Sequence, residues 1–312
     1  MFQLYKKRDF SQLIGDTFSF FKLEGKNYFK SYFIINGGIL LLLVVILYFF
    51  MKAFIDGTFA ATQTGNSNYI NDMMYSNMTN FVLFGIFFVI LISLASLINY
   101  SYPILYFKLI EDKKERTTEA IFSLMKQKFG KAIIFYLLSL VVIFPLLLII
   151  FGITFFLVII LIGIPIIIIL VPAVTSWVTL TYYQYITSED DYFKAIRKAF
   201  EMVKAKFWSI IGSTLIIFVI MQVIMGVLTM IPYFIGIASI MTNPQNIEAD
   251  PNGYVSTITI LMTTIFILSI ILNYVMQNLL LVNQGIIFYS IKETEGNVSI
   301  LNDIDSIGTH EE

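Results

Sequence analysis

Long uncharged apolar runs alternate along the chain with short stretches in which Lys and Phe recur at helical spacing. A helix that crosses a hydrocarbon core needs about 20 apolar residues. Runs of that kind begin near Phe33 (to about Met51), Phe81 (to about Phe107), Ala132, Trp208 (to about Ile231) and Thr257 (to about Ser290). The run from Ala132 to Ser188 holds 57 uncharged residues, too many for one crossing at about 1.5 Å per residue and enough for two. Gly152, Gly163 and Pro165 all mark places where this stretch can turn back, while Pro145 and Pro172 read as kinks. The pattern predicts an all-α polytopic membrane protein with six transmembrane helices.

Between the runs, one phrase recurs. "IFSLMKQKFG" (121–130) and "AFEMVKAKFW" (199–208) both place Phe, Lys, Lys and Phe at the same spacing, each at the threshold of an apolar run. In the later copy Ile196, Ala199, Phe200, Val203 and Phe207 fall on one helical face; in the earlier copy Thr118, Ile121, Phe122, Met125 and Phe129 do. A looser version near the start carries Phe10, Leu13, Ile14, Phe18 and Phe21, then Lys22, Lys26 and Phe29. Each reads as a cytoplasmic amphipathic helix at the membrane interface, its apolar stripe in the lipid boundary and its lysines toward anionic headgroups. Ser188 followed by Asp191 fits a helix-capping start for the last copy. The exits from the hairpins rhyme as well: "YFKLIED" (106–112), "YYQYITSED" (182–190) and "IFYSIKE" (287–293). The chain is therefore expected to be one membrane domain, 1–312, built as a threefold repeat of amphipathic helix plus transmembrane hairpin. The repeat units are 9–110, 117–187 and 188–291, and 292–312 forms a cytoplasmic tail with an apolar stripe of Val298, Leu301, Ile304 and Ile307.

Composition agrees: 58% of the 312 residues are hydrophobic and 13% charged, against about a quarter charged in soluble domains. Charge matters through its position. The segment before the first span carries six Lys or Arg, the connection after the second span seven, the connection after the fourth five, and Lys292 follows the sixth; the other connections together hold only Lys52. Basic residues stay on the cytoplasmic side, so both termini are expected there. The first span is preceded by about 30 polar and amphipathic residues, too long for an ordinary signal n-region, and is expected to remain as an anchor. Richness in Ile, Phe, Lys and Asn points to an AT-rich bacterial genome and an inner-membrane location. Asn77-Met78-Thr79 then reads as a chance sequon.

The phrase around Phe200–Trp208, the hairpin exits and the ending "NQGIIFYSIKETEGNVSILNDIDSIG" (283–308) resemble a broad group of bacterial multi-pass proteins. That group is the family named for the membrane domain of glycerophosphoryl diester phosphodiesterase, together with related six-helix families. The resemblance implies the six-helix fold. It does not imply hydrolysis, because the namesake's catalytic domain is a separate soluble one and only about 20 residues follow the sixth span here.

Candidate chemistry is sparse. With no cysteine there is no thiolate site or disulfide, and the one histidine, His310, lies in the polar tail. No charge interrupts the third to sixth spans, where an ion path or proton relay would be marked by one. No protease dyad and no phosphate-binding loop is present. Glu119-Ala120 matches the start of a permease coupling loop, but Met125 stands where that motif wants Gly. Asp190-Asp191 and Glu111-Asp112 read as helix-start acids and solvated charge. What remains is a polar stripe on the sixth span: Asn273, Gln277 and Gln284 lie within about 40° of one another, with Asn278 and Asn283 to the sides and Asn99, Ser101 and Gln222 as partners. It serves either as interhelical hydrogen bonding or as a polar pocket. Lys126, Lys128, Lys194, Lys198, Lys204 and Lys206 are the expected lipid-headgroup contacts. The expected function is a non-enzymatic accessory or scaffolding protein, without a cofactor or nucleic-acid partner, acting with anionic lipids and a partner membrane protein. The alternative is a transporter or lipid-handling permease subunit.

Overall fold

The computed structural model describes residues 2–64, 75–76, 78–242 and 251–296. The Asn77 sequon, His310, the tail stripe from Val298 to Ile307 and most of the two larger external connections lie outside the described residues. The described chain is all-α: α1 (Phe10–Thr64), α2 (Met78–Glu111), α3 (Thr118–Val141), α4 (Ile143–Ile159), α5 (Gly163–Thr187), α6 (Tyr192–Ala205), α7 (Phe207–Thr242) and α8 (Pro251–Gly296). Among the described residues six stretches are long and apolar enough to cross a membrane, and only 11–28% of their most apolar windows is buried. Apolar side chains that a soluble fold would hide thus remain outside, as a lipid solvent allows. The chain is a multi-pass membrane protein.

The helix boundaries follow from local chemistry. Asp9 opens α1 by accepting from the Gln12 amide (2.8 Å), and the Gln12 side chain returns the bond to the Asp9 amide (3.2 Å), a reciprocal capping box. At the end of α2, Lys113 turns left-handed (φ 53°). Its N–H donates to Ile110 O and that of Lys114 to Leu109 O, the paired bonds of a Schellman close. Thr117 caps α3 by accepting from the Ala120 amide. The third span bends at Val142, between α3 and α4, because Pro145 has no N–H to offer the Val141 carbonyl. The return within 132–187 falls at residues 160–162. Leu161 is left-handed there (φ 63°), and Gly163 follows, where a Cβ would overlap the backbone of Thr154, Leu157 and Val158.

Two expectations change. The cap of α6 is Asp191, which accepts from the Lys194 amide (2.9 Å), while Ser188 closes α5. The first two phrases are also not separate interfacial helices. α1 and α3 continue from phrase into span without a break, α3 even across Gly130, and only the third copy is set apart, at Lys206 (φ −131°, ψ 42°).

By packing, the chain forms two compact units. The first comprises residues 1–35, 97–221 and 277–312 and gathers all three phrases and all three exits. Its core is aromatic: Phe20, Tyr28, Tyr32, Tyr102, Tyr106, Phe107, Tyr183, Phe288 and Tyr289 are fully buried. The exits meet there, Phe107 against Tyr183 and Tyr289, and Tyr183 against Phe288. Gly285 permits the approach, since a Cβ would overlap Phe107 and the Tyr183 hydroxyl. The second unit comprises residues 36–96 and 222–276. Its interior is aliphatic, with Leu40, Leu43, Leu47 and Leu91 buried, and Phe54, Phe50, Phe84 and Phe88 form a stacked ladder.

Candidate functional site

Tyrosine hydroxyls cannot be buried unpaired without cost, and the first unit is built around satisfying them. All six fully buried tyrosines donate: Tyr28 to Asn278 Oδ1 (2.7 Å), Tyr32 to Asn99 Oδ1 (2.8 Å), Tyr102 to the Tyr28 carbonyl, Tyr106 to Glu24, Tyr183 to the Leu281 carbonyl and Tyr289 to Glu111. Ser101 and Tyr182 share a further hydrogen bond. The acceptors come from α1, α2 and α8, so the phenols and amides join the ends of the first, second and sixth spans. This network was not anticipated from the sequence. Its signal was present in the i, i+4 pairs Tyr28/Tyr32 and Tyr102/Tyr106, which hydropathy counts as apolar.

The expected stripe is divided. Asn273 is exposed and belongs to the second unit. Gln277 accepts from Asn99 Nδ2 (2.8 Å) and donates to the Tyr100 hydroxyl (2.6 Å). Gln284 is fully buried and donates to Thr214 (2.8 Å), which also pairs with Ser176. Asn278 and Asn283 are fully buried too; Asn283 donates to Thr17 and to the Leu13 carbonyl. The side-chain carbonyls of Asn283 and Gln284 have no partner among the described residues.

Neither acidic pair is simply solvated. Glu111 accepts from Tyr5, Lys108 and Tyr289. Asp190, 8% exposed, accepts from Lys194 (2.8 Å), Lys198 (2.6 Å), Gln184 (2.6 Å) and Ser188. Burial pushes its carboxyl up, but these bonds, Lys194 and Lys198 first, outweigh that and hold it well below the usual carboxylate range. Lys131 donates to the Ser188 carbonyl (2.6 Å) and fixes the same corner.

The six candidate headgroup lysines therefore differ. Lys194 and Lys198 pair with Asp190, and Lys206 donates to Thr294 (3.1 Å). Lys126 is exposed and lies over the Phe122 ring, Lys204 is exposed, and Lys128 lines a small slot. On α6 one side packs inward through Tyr192, Ala195, Ala199, Met202 and Val203, while Phe193 and Phe200 remain outside. The amphipathic stripe thus serves the protein on one flank and is free on the other. Among the described residues no group of three His, Cys, Asp or Glu side chains is placed to hold a metal. Comparison with family models, curated proteins and solved structures finds no match.

Proposed function

We propose that this chain is a non-enzymatic protein of a bacterial inner membrane, with both termini cytoplasmic, whose first unit is a rigid platform for anionic lipids and a partner membrane protein. One observation carries this reading. The division into units follows packing alone, yet it concentrates charge: of the 20 Lys and Arg residues, all but Lys52 fall in the first unit, together with 17 of the 21 Asp and Glu residues. A tyrosine-knit body that gathers these lysines and leaves Phe193, Phe200 and Trp208 exposed suits an anionic leaflet.

The second reading, a lipid-handling permease subunit, draws on the unpaired Asn283 and Gln284 carbonyls, where a polar ligand would find acceptors. Replacing Gln277 and Gln284 by Leu separates the two. On the platform reading the double variant melts at lower temperature in detergent, each lost interhelical contact costing about 0.6–2 kcal/mol, and keeps its bound anionic lipid. Equal or higher stability with the lipid lost would overturn the platform in favour of a polar pocket.

A further inference from the structure

Gln222, expected as a partner of the α8 stripe, turns outward instead. It is exposed on α7 and makes no hydrogen bond among the described residues. No charged residue lies within fifteen positions of it on either side, which places its amide among apolar residues deep in the fifth span. Lipid offers such an amide neither donor nor acceptor, so leaving it unpaired there is costly.

The surroundings of Gln222 are those of a helix-packing face. Gln222, Val223, Gly226, Met230 and Tyr233 lie within about a 100° arc of α7, all within the second unit. Val223, Met230 and Tyr233 are exposed, and a Cβ added at Gly226 would meet nothing within 4 Å. Between membrane helices, where lipid is as apolar as the side chains, association comes from close approach at small residues and from polar side chains that bond across the contact. Gly226, one turn from Gln222, supplies the first and Gln222 the second. Asn273 is a second exposed amide, on α8, but it shares its face with Met262 and Phe266 and has no open glycine beside it.

The chemistry of the amide selects the occupant. A carboxamide both donates and accepts, so it is its own complement. Two copies of one chain share an orientation in the membrane, and a two-fold axis along the membrane normal brings each residue of the face to its counterpart at the same depth. We propose that two copies of this chain pair through this face of α7, the Gln222 amides bonding to each other across the axis beside Gly226. The pairing lies in the second unit and does not depend on the platform reading.

The absence of cysteine permits a direct test on the full chain in native membranes. With copper phenanthroline as oxidant, Val223→Cys and Met230→Cys should cross-link into a species of twice the chain mass. Leu228→Cys, on the opposite side of α7, and Ile149→Cys, exposed on α4, should not. Gln222→Leu in the Val223→Cys background should weaken association about three- to thirtyfold, the worth of one such contact in lipid. Gly226→Leu should abolish it with the amide intact, and both variants should keep the parent's melting temperature in detergent at a concentration where the chain is monomeric. Cross-linking as strong at Ile149→Cys as at Val223→Cys would reduce the contact to collision and overturn the pairing. Cross-linking undiminished by Gln222→Leu and Gly226→Leu, or lost equally in Asn273→Leu, would overturn the assignment to this face of α7. A product of any other mass would overturn a second copy as the occupant.

Discussion

Asp190 shows how a single side chain changes meaning between sequence and fold. Beside Asp191 and ahead of a basic helix it reads as solvated charge, but α5 and α6 close over it, and two lysines, Gln184 and Ser188 converge on its oxygens. Because its folded pKa lies below the ordinary value of about 3.9, the carboxylate contributes stability that is present at neutral pH. That contribution is lost as pH falls below about 4, through the ordinary value toward the depressed one. Asp190→Asn should therefore lower stability at pH 7 by about 2 kcal/mol, as expected when a buried charged acceptor is removed. It should also flatten the acid limb of the melting profile relative to the parent. An unchanged acid limb would show that Asp190 does not govern it. The amides of α8 carry a related lesson. Angular arithmetic set Asn278 and Asn283 aside, yet both are fully buried whereas Asn273 is exposed. Periodicity gives the relative angle of two side chains; which face is buried depends on neighbours more than 170 residues away, such as Tyr28 and Thr17.

At the scale of elements, most boundaries were legible because they rest on local chemistry. Apolar length gave the six spans, and Gly163 bounded the hairpin that Leu161 turns. The fusion of the first two phrases with their spans was not legible, since lysines on one face do not interrupt an α-helix. Nor was the segment before α1, where Phe2 and Leu4 are buried and Arg8 donates to the carbonyls of Gln3, Leu4 and Lys6 and to Asp16. Arg8 is also tied through its amide to Ser290, 282 residues away, which no local pattern encodes. The Schellman close of α2 offers a direct test of element-level reasoning. Lys113 is held in the left-handed region, where a non-glycine residue costs roughly 1–2 kcal/mol. Lys113→Gly should then raise stability by up to about 1 kcal/mol, glycine's greater unfolded-state entropy offsetting part of the relief. Lys113→Ala removes the same charge without relieving the backbone and should not stabilise. A gain in Ala equal to that in Gly would assign the effect to charge and refute the conformational account.

For the whole molecule, six crossings put both chain ends on one side, and the proposed orientation makes that side the cytoplasmic one because the basic connections share it. The connection after the second span and that after the fourth belong to the first unit together with the amino-terminal segment, whereas Lys52 is the only cation of the second. Under the proposed orientation, retention of Lys and Arg in the cytoplasm places every connection at once, so the topology stands or falls as a set. The chain offers a clean way to test it, because it contains no cysteine. Single replacements Lys114→Cys and Lys204→Cys should react with a membrane-impermeant maleimide only after the membrane is opened. Asn66→Cys and Asn246→Cys, which the proposed orientation assigns to the opposite side, should react in intact cells. The decisive position is Lys204, since α3, α4 and α5 lie between it and Lys114. If both crossings of 132–187 form, the two lysine positions label alike. Protection at Lys114 with labelling at Lys204 in intact cells would mean that this stretch crosses only once. The six-span count would then be wrong, and with it the common side of the basic connections on which the platform depends.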